Sequence, residues 1–342
     1  MSTTTPPPGA APATAPEAER AAPKRTRRRG FSTIVRNYGV VGFLVLLVLV
    51  FSLLLPATFP TAANFQAILT DQSIPIILAL AVVLPLAAGE FDLSIGAVLG
   101  FSAITAIGLS NLGLPMVVAI AGALAVGLVA GAINAFFVVR VRMNAFIATL
   151  ALATVLSGLN LLVTASSLLV LDDSAYGAIT KTKVLGIQVV LAYAIVVALV
   201  LYYVLEKTPF GRYLRATGMG RDAARLSGVR VDRYLALAFI IAGGLAGFAG
   251  ALLASRGGTA APTLGPEYLL PAYAAAFLGA TTIRPGYFNV WGTVIGVFLL
   301  AVGSNGLTLM GAATWVTNIF NGLALLAAVT VSLIVGRRRT SS

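Results

Sequence analysis

Two carboxylates, Glu90 and Asp92, stand two residues apart in residues 86–100, LAAGEFDLSIGAVLG, with an apolar run on either side. Acids that interrupt apolar sequence suit three kinds of chemistry: carrying a proton or cation, contacting a polar solute, or satisfying the bare N–H groups where a helix begins. Gly89 loosens the backbone, so a helix break is expected over 89–94, with Asp92 or Ser94 capping the helix that follows. For Asp92 the preferred reading is that cap, with its charge set against the positive end of the helix dipole. A direct part in a solute path is weighed next, for Glu90 more than for Asp92. The chain has no cysteine and no histidine, which removes thiol catalysis, thiolate metal sites and the usual imidazole base together.

A second constellation lies in residues 205–234, LEKTPFGRYLRATGMGRDAARLSGVRVDRY, which hold seven basic and three acidic residues and few large apolar ones. Such a stretch is too polar for lipid and too long for a simple turn. Within it, Arg221, Asp222, Ala223, Ala224, Arg225 and Gly228 read as a helix of about two turns, with Asp222 as first-turn acid or cap and Gly228 as its stop. A helix of this kind outside the membrane can dock on a partner or lie on anionic lipid.

These groups must be positioned by membrane helices. Of 342 residues, 58% are hydrophobic and only 10% charged, too few charges to cover a soluble surface. Long runs of Leu, Val and Ala point to an all-α polytopic membrane protein rather than a barrel of short alternating strands. Ten apolar segments are expected near 38–55, 74–89, 95–110, 115–139, 145–163, 189–204, 235–254, 268–283, 290–310 and 315–335. An even number of crossings puts both termini on one side. With the tail and the 205–234 loop inside, only Lys181, Lys183 and Arg256 of the 23 Lys and Arg residues fall outside, as the positive-inside rule requires. The net charge of +12 is therefore an orientation signal and not a nucleic-acid surface.

Residues 1–37, rich in Pro, Ala and Thr and ending in basic residues, read as a disordered cytoplasmic tail; residues 38–336 form the transmembrane domain, and 337–342 a short cytoplasmic end. Two external loops are expected, about 164–188 and 254–268. Glycines recur four apart at Gly96/Gly100, Gly127/Gly131, Gly243/Gly247 and Gly292/Gly296, where helix backbones can approach closely. The segments AGALAVGLVAGAINAF and AGGLAGFAGALLASR share an Ala/Gly texture and run in opposite directions, compatible with an inverted repeat.

Asp222, Ala223, Ala224 and Gly228 resemble the coupling-helix signature of ABC importer permeases, with Asp where Glu is common. EFDLSIG, NAFIATLALATVLSGLNLLVT, IAGGLAGFAGALLASR and NVWGTVIGVFLLAVGSNGLTLMG resemble, in order, further segments of ribose-type permeases, over most of residues 74–330. The resemblance implies the permease subunit of a monosaccharide ABC importer in a bacterial cell membrane. Its implied partners are a cytoplasmic ATPase that binds the ATP, an extracytoplasmic sugar-binding protein and a second permease copy, a homodimer being expected. No G-x-x-x-x-G-K-[ST] phosphate loop occurs, so the chain is not expected to be an enzyme or to hold a cofactor or metal of its own.

Two departures concern the solute. Relatives often carry Gly where this chain has Glu90, and a Gly/Ser-rich turn where it has TTIRPGYFN with Arg284. Gly89, Glu90, Asp92, Ser94, Gly96 and Arg284 are thus the break and path candidates. The alternative is a proton- or sodium-coupled secondary transporter using Glu90 and Asp92, which leaves the basic 205–234 loop unexplained. A hydrolase lacks an activated nucleophile, and a channel lacks a repeated filter loop.

Overall fold

The computed structural model describes residues 1–3, 29–172, 174–184 and 186–340. In chain order its helices are α1 (Arg29–Leu54), α2 (Ala62–Asp71), α3 (Ser73–Ala87), α4 (Ile95–Asn111), α5 (Met116–Ala135), α6 (Ala145–Val163), α7 (Ser174–Lys181), α8 (Val190–Lys207), α9 (Pro209–Met219), α10 (Arg221–Leu226), α11 (Val231–Gly257), α12 (Pro266–Thr281), α13 (Val290–Leu309) and α14 (Thr314–Thr340). A wider π turn, Phe136–Arg140, extends α5. Four two-residue strands, β1 (Leu169–Val170), β2 (Lys183–Val184), β3 (Ile187–Gln188) and β4 (Thr259–Ala260), complete the set.

Helices dominate because a chain in hydrocarbon must close its backbone hydrogen bonds within each segment. Each of the ten apolar segments coincides with a helix. Among the described residues, six stretches are long and apolar enough to cross a membrane: Ala62–Ala87, Met116–Arg140, Ala145–Val163, Val190–Lys207, Val231–Gly257 and Val290–Leu309. The run expected at 74–89 gains its missing length from α2, which continues into α3 through Gln72. Shorter apolar helices cover Tyr38–Leu54, Ile95–Asn111 and Thr314–Thr330. The expected tail lies outside the described residues over 4–28, and α1 begins at Arg29; at the other end α14 runs to Thr340.

Apolar all round, α3 is the central helix: every residue from Ile76 to Ala87 is buried. It is enclosed by α8, α11, α12 and α13. On α5, α6 and α8, in contrast, Val117, Ile147, Leu150, Val196 and Leu199 are exposed, the belt that a bilayer would cover.

The two Ala/Gly-textured segments turn out to pack on each other. Gly127 of α5 faces Gly243 and Gly247 of α11, while Gly131 faces Phe239 and Ile240, an antiparallel register. A Cβ added at Gly131 would lie 2.8 Å from Ile240 Cα, and one at Gly247 3.1 Å from Gly127 Cα. These glycines therefore set how closely the two backbones approach within one bundle.

The external loops are joined. β1 pairs antiparallel with β4, Leu171 N–H donates to the Gly258 carbonyl at 2.8 Å, and the Asn111 side chain at the end of α4 holds Val170 and Asp172. Tyr176 of α7 is fully buried and donates to the Ala251 carbonyl at 2.9 Å, while Thr180 meets Ser255 at 2.9 Å. From β4 the chain then dives inward along α4, until the Leu264 carbonyl lies against Gly100 and the Gly265 carbonyl against Gly96. Helix α12 consequently starts inside the bundle, which accounts for its 16 residues.

The α5–α11 crossing gives a stability test. Gly131→Leu or Gly247→Leu should cost about 1–3 kcal/mol by overpacking, whereas Gly158→Leu on α6, where an added Cβ meets nothing within 4 Å, should cost nothing. Thermal unfolding in detergent measures the difference, and equal midpoints would remove the glycines from their packing role.

Candidate functional site

The break between α3 and α4 begins where Pro85 withdraws one amide from the last turn of α3. Gly89 then turns the chain with a φ of +80°, and its backbone packs against Gly218 of α9, where no side chain would fit between the two chains. Ahead of α4, Asp92 is only 1% exposed. Its Oδ1 accepts from the Ser94 N–H at 3.0 Å and the Ser94 hydroxyl at 2.6 Å, and stands 3.4 Å from the Asn134 amide nitrogen. Asn134, near the end of α5, also donates to Ser94 Oγ at 2.8 Å.

The backbone on either side is tied down too. Leu93 N–H donates to the Thr149 hydroxyl of α6 at 3.0 Å. The Tyr273 hydroxyl of α12 accepts from the Asp92 N–H at 2.8 Å and donates to the Asp92 carbonyl at 2.9 Å. Phe91 stacks on the Tyr273 ring, centroids 5.9 Å apart. The break is thus fastened to α5, α6 and α12 at once, and Asp92 has no cationic partner among the described residues. Ser94 makes no cap bond of its own on α4; its hydroxyl goes to Asp92 instead.

Glu90 faces the other way. Its carboxylate forms an ion pair with Arg221, the first residue of α10. The two acids, two residues apart in sequence, therefore have separate partners, one inside the bundle and one on the loop helix.

Helix α10 has six residues, shorter than the two turns expected from the sequence. The cap position falls on Gly220, and Asp222 occupies the first turn without a capping bond. Gly228 stops the helix at a φ of +80°, its N–H donating to the Arg225 carbonyl at 2.9 Å, while Val229 N–H returns to Ala224 at 3.0 Å. Ala224 is buried, and Arg225 pairs with Asp232 at 2.6 Å. Between this helix and the turn after α5 lies a cleft of about 480 Å³ that includes Glu90, Arg142, Asn144, Arg221 and Asp222. Met219 and Leu226, in contrast, are 74% and 91% exposed.

Gly96 serves the close approach of the α12 entry, as described above. Arg284 lies away from both acids: in the turn after α12 it pairs with Glu206 at the end of α8, which also accepts Arg215 of α9. Ile283 beside it has a φ of +59°, so this turn is held in an uncommon backbone form.

Sequence reasoning missed α9, although Pro209 at its first position and the buried face Gly211, Leu214 and Thr217 were readable signals. It also missed Leu226 and Met219, two large apolar residues in an otherwise polar loop. Asn134, Thr149 and Tyr273 carried no signal, because only the folded chain brings them to Asp92 and Leu93.

The chain matches the family described as branched-chain amino acid transport system / permease component over residues 64–329. It is 34% identical over 305 residues to the ribose import permease protein of Bacillus subtilis, covering 89% of this chain and 94% of that one. With the ribose import permease protein of Haemophilus influenzae it shares 31% over 300 residues, 86% and 93% of the two chains. The D-allose transport system permease protein of Escherichia coli is 27% identical over 308 residues, 90% and 94% of the two chains. No solved structure matches the chain.

Replacing Asp92 tests its place in the break. Asp92→Ala leaves the Ser94 amide and the Asn134 side chain short of an acceptor and should destabilise the fold by about 1–3 kcal/mol; Asp92→Asn, which keeps an acceptor, should cost less. Solute preference should stay unchanged in both. Thermal unfolding and transport assays read these outcomes, and a specificity change at normal stability would make Asp92 a ligand group instead.

Proposed function

The chain belongs to the branched-chain amino acid transport system / permease component family, and on that premise we propose that it is the membrane permease subunit of a monosaccharide importer of the ABC type. The sugar class rests on the relatives, whose names specify ribose and D-allose. Residues 38–336 form the bundle in a bacterial cell membrane, and 205–234 the cytoplasmic coupling loop.

The observation that carries this reading is the construction of α10. A six-residue helix stands at the cytoplasmic end with its Leu226 exposed beside the exposed Met219 that ends α9, while Ala224 is buried and Arg221 is tied to Glu90. Exposed large apolar side chains on a short polar helix suit a protein groove better than water. The partner that belongs in that position is a separate ATPase, since this chain carries no phosphate loop. ATP-driven movement delivered to α10 would pass through Arg221 to Glu90 and so to the α3–α4 break. A second copy of the chain completes the pathway, and the joined external loops, α7 with β1 and β4, offer a rigid face to an extracytoplasmic sugar-binding protein.

The secondary-transporter alternative has no support in the site. A carrier acid must meet its ion and release it, but Asp92 is held by Ser94 and Asn134, and Glu90 by Arg221.

Reconstitution into proteoliposomes with the ATPase and binding protein tests the proposal. Sugar uptake should require ATP and both partners; uptake by this chain alone that collapses with an ion gradient would overturn it. Within the same system, Leu226→Asp and Gly228→Leu should lower ATPase association at least about tenfold while membrane insertion stays normal. At Gly228 the cause is the left-handed backbone, since space for a side chain is open. Unchanged association in both variants would remove α10 as the contact.

A further inference from the structure

At the outer end of the bundle, a second cleft of about 320 Å³ opens between the α2–α3 junction, α12, α13 and α14. Its rim is polar: Asp71, Gln72, Ser304, Asn305, Thr308 and Asn321. Its floor is apolar, made by Ile68, Pro271, Leu300 and Ala301. From Thr308 to Leu300 it follows α13 inward for about 12 Å, at 1.5 Å per residue. The outer end is identified by Arg256, at the end of α11 opposite the basic loop, which pairs with Asp71 and donates to the Thr70 carbonyl at 2.8 Å.

The side chains of this rim are arranged for hydrogen bonding without net charge. Asp71 is neutralised by Arg256, and the other polar groups are carboxamides and hydroxyls. Asn305 is fixed by a reciprocal amide pair with Asn64, 3.1 Å in each direction, which orients the wall. Among the described residues, Asn321 accepts only a long contact, 3.4 Å, from the Ser304 hydroxyl, and its amide N–H groups have no acceptor. The half-buried Gln72 carboxamide makes no side-chain hydrogen bond among the described residues. Carboxamides on apolar helices are costly against lipid and are retained where water or a polar solute meets them.

We infer that this cleft is the outer solute subsite of the permease, and that it takes a neutral polyhydroxylated molecule, with Gln72 and Asn321 as its hydrogen-bonding groups. The inference rests on the importer reading and deepens it. Amide groups pair with vicinal hydroxyls as both donors and acceptors, and the floor formed by Pro271 and Leu300 suits the C–H face of a sugar ring. A branched-chain amino acid, the solute in the family's description, would bring an ammonium and a carboxylate that find no unpaired partner in the cleft.

Two measurements on the full reconstituted complex test the assignment. Because the chain contains no cysteine, single replacements Gln72→Cys, Thr308→Cys and Asn321→Cys each carry a unique thiol. A membrane-impermeant maleimide added outside should label them at least about tenfold faster than Val196→Cys on the exposed face of α8, and saturating sugar with its binding protein should slow that labelling. In uptake assays, Gln72→Leu and Asn321→Leu should each raise the half-saturating sugar concentration about five- to tenfold, while ATP hydrolysis stimulated by the loaded binding protein is kept. Labelling no faster than at Val196→Cys, or unchanged uptake in the leucine variants, would overturn the subsite. So would loss of stimulated ATP hydrolysis together with uptake, which marks a structural role. A wild-type complex that moves no monosaccharide would overturn the importer reading and the sugar assignment with it, even where labelling shows the cleft to be wet.

Discussion

A carboxylate buried without a cation has to be held by hydrogen-bond donors, and that requirement organises the centre of this molecule. Asp92 sits where the central helix α3 ends and α4 has yet to begin, the one place along this path where backbone N–H groups are free to receive it. Ser94 and Asn134 complete the shell, and the Tyr273 hydroxyl takes both backbone groups of Asp92. The break thus meets α5 and α12 at Asp92 and α6 at the neighbouring Leu93. Breaking a helix inside a membrane protein is tolerated only where the freed backbone groups are satisfied again, and these side chains do so.

From that centre two ties lead outward to the loop of residues 205–234. Gly89 packs directly on Gly218 of α9, and Glu90 pairs with Arg221 of α10. A second pair of ties, Glu206 with Arg215 and Arg284, joins the same loop to α8 and to the turn after α12. The carboxylates of these pairs are largely buried, so the cost of desolvating them offsets much of the attraction. In the proposed importer their role is directional: they would decide which parts of the bundle move when α9 and α10 are pushed. At the opposite end, β1–β4 pairing and the buried Tyr176 bind the two external loops into one cap, and β4 leads the chain inward to start α12 beside Gly96. The molecule thus has a cap of paired loops at one end, a hydrogen-bonded centre and an ion-paired loop at the other end.

Much of this was legible in the sequence. All ten apolar segments became helices, because length and hydrophobicity decide helix formation in lipid with little help from context. The helix break at 89–94 and the short helix ending at Gly228 were marked by local residue types, Gly, Asp and Ser. Local marks say where a chain turns, but not what the turn touches. The partners of Asp92 lie on α5 and α12, that of Leu93 on α6 and that of Glu90 on α10, so none could be read from its neighbours. The inward run before α12 was hidden for the same reason: an external loop and a loop that dips into the bundle share the same Gly, Pro and Thr. Glu90, singled out as a departure from the family pattern, proves to pair with Arg221 of α10 rather than to line the cleft at the other end.

The account turns on Glu90 and Arg221 carrying movement from the loop helix to the break. The direct measurement is sugar transported per ATP hydrolysed in the reconstituted complex for Glu90→Arg, Arg221→Glu and the two together. Each single reversal places like charges face to face and should lower the ratio several-fold, while the double reversal should restore most of it, an interaction energy of about 0.5–3 kcal/mol. Additive losses in the double variant, or wild-type ratios in both single ones, would contradict the account.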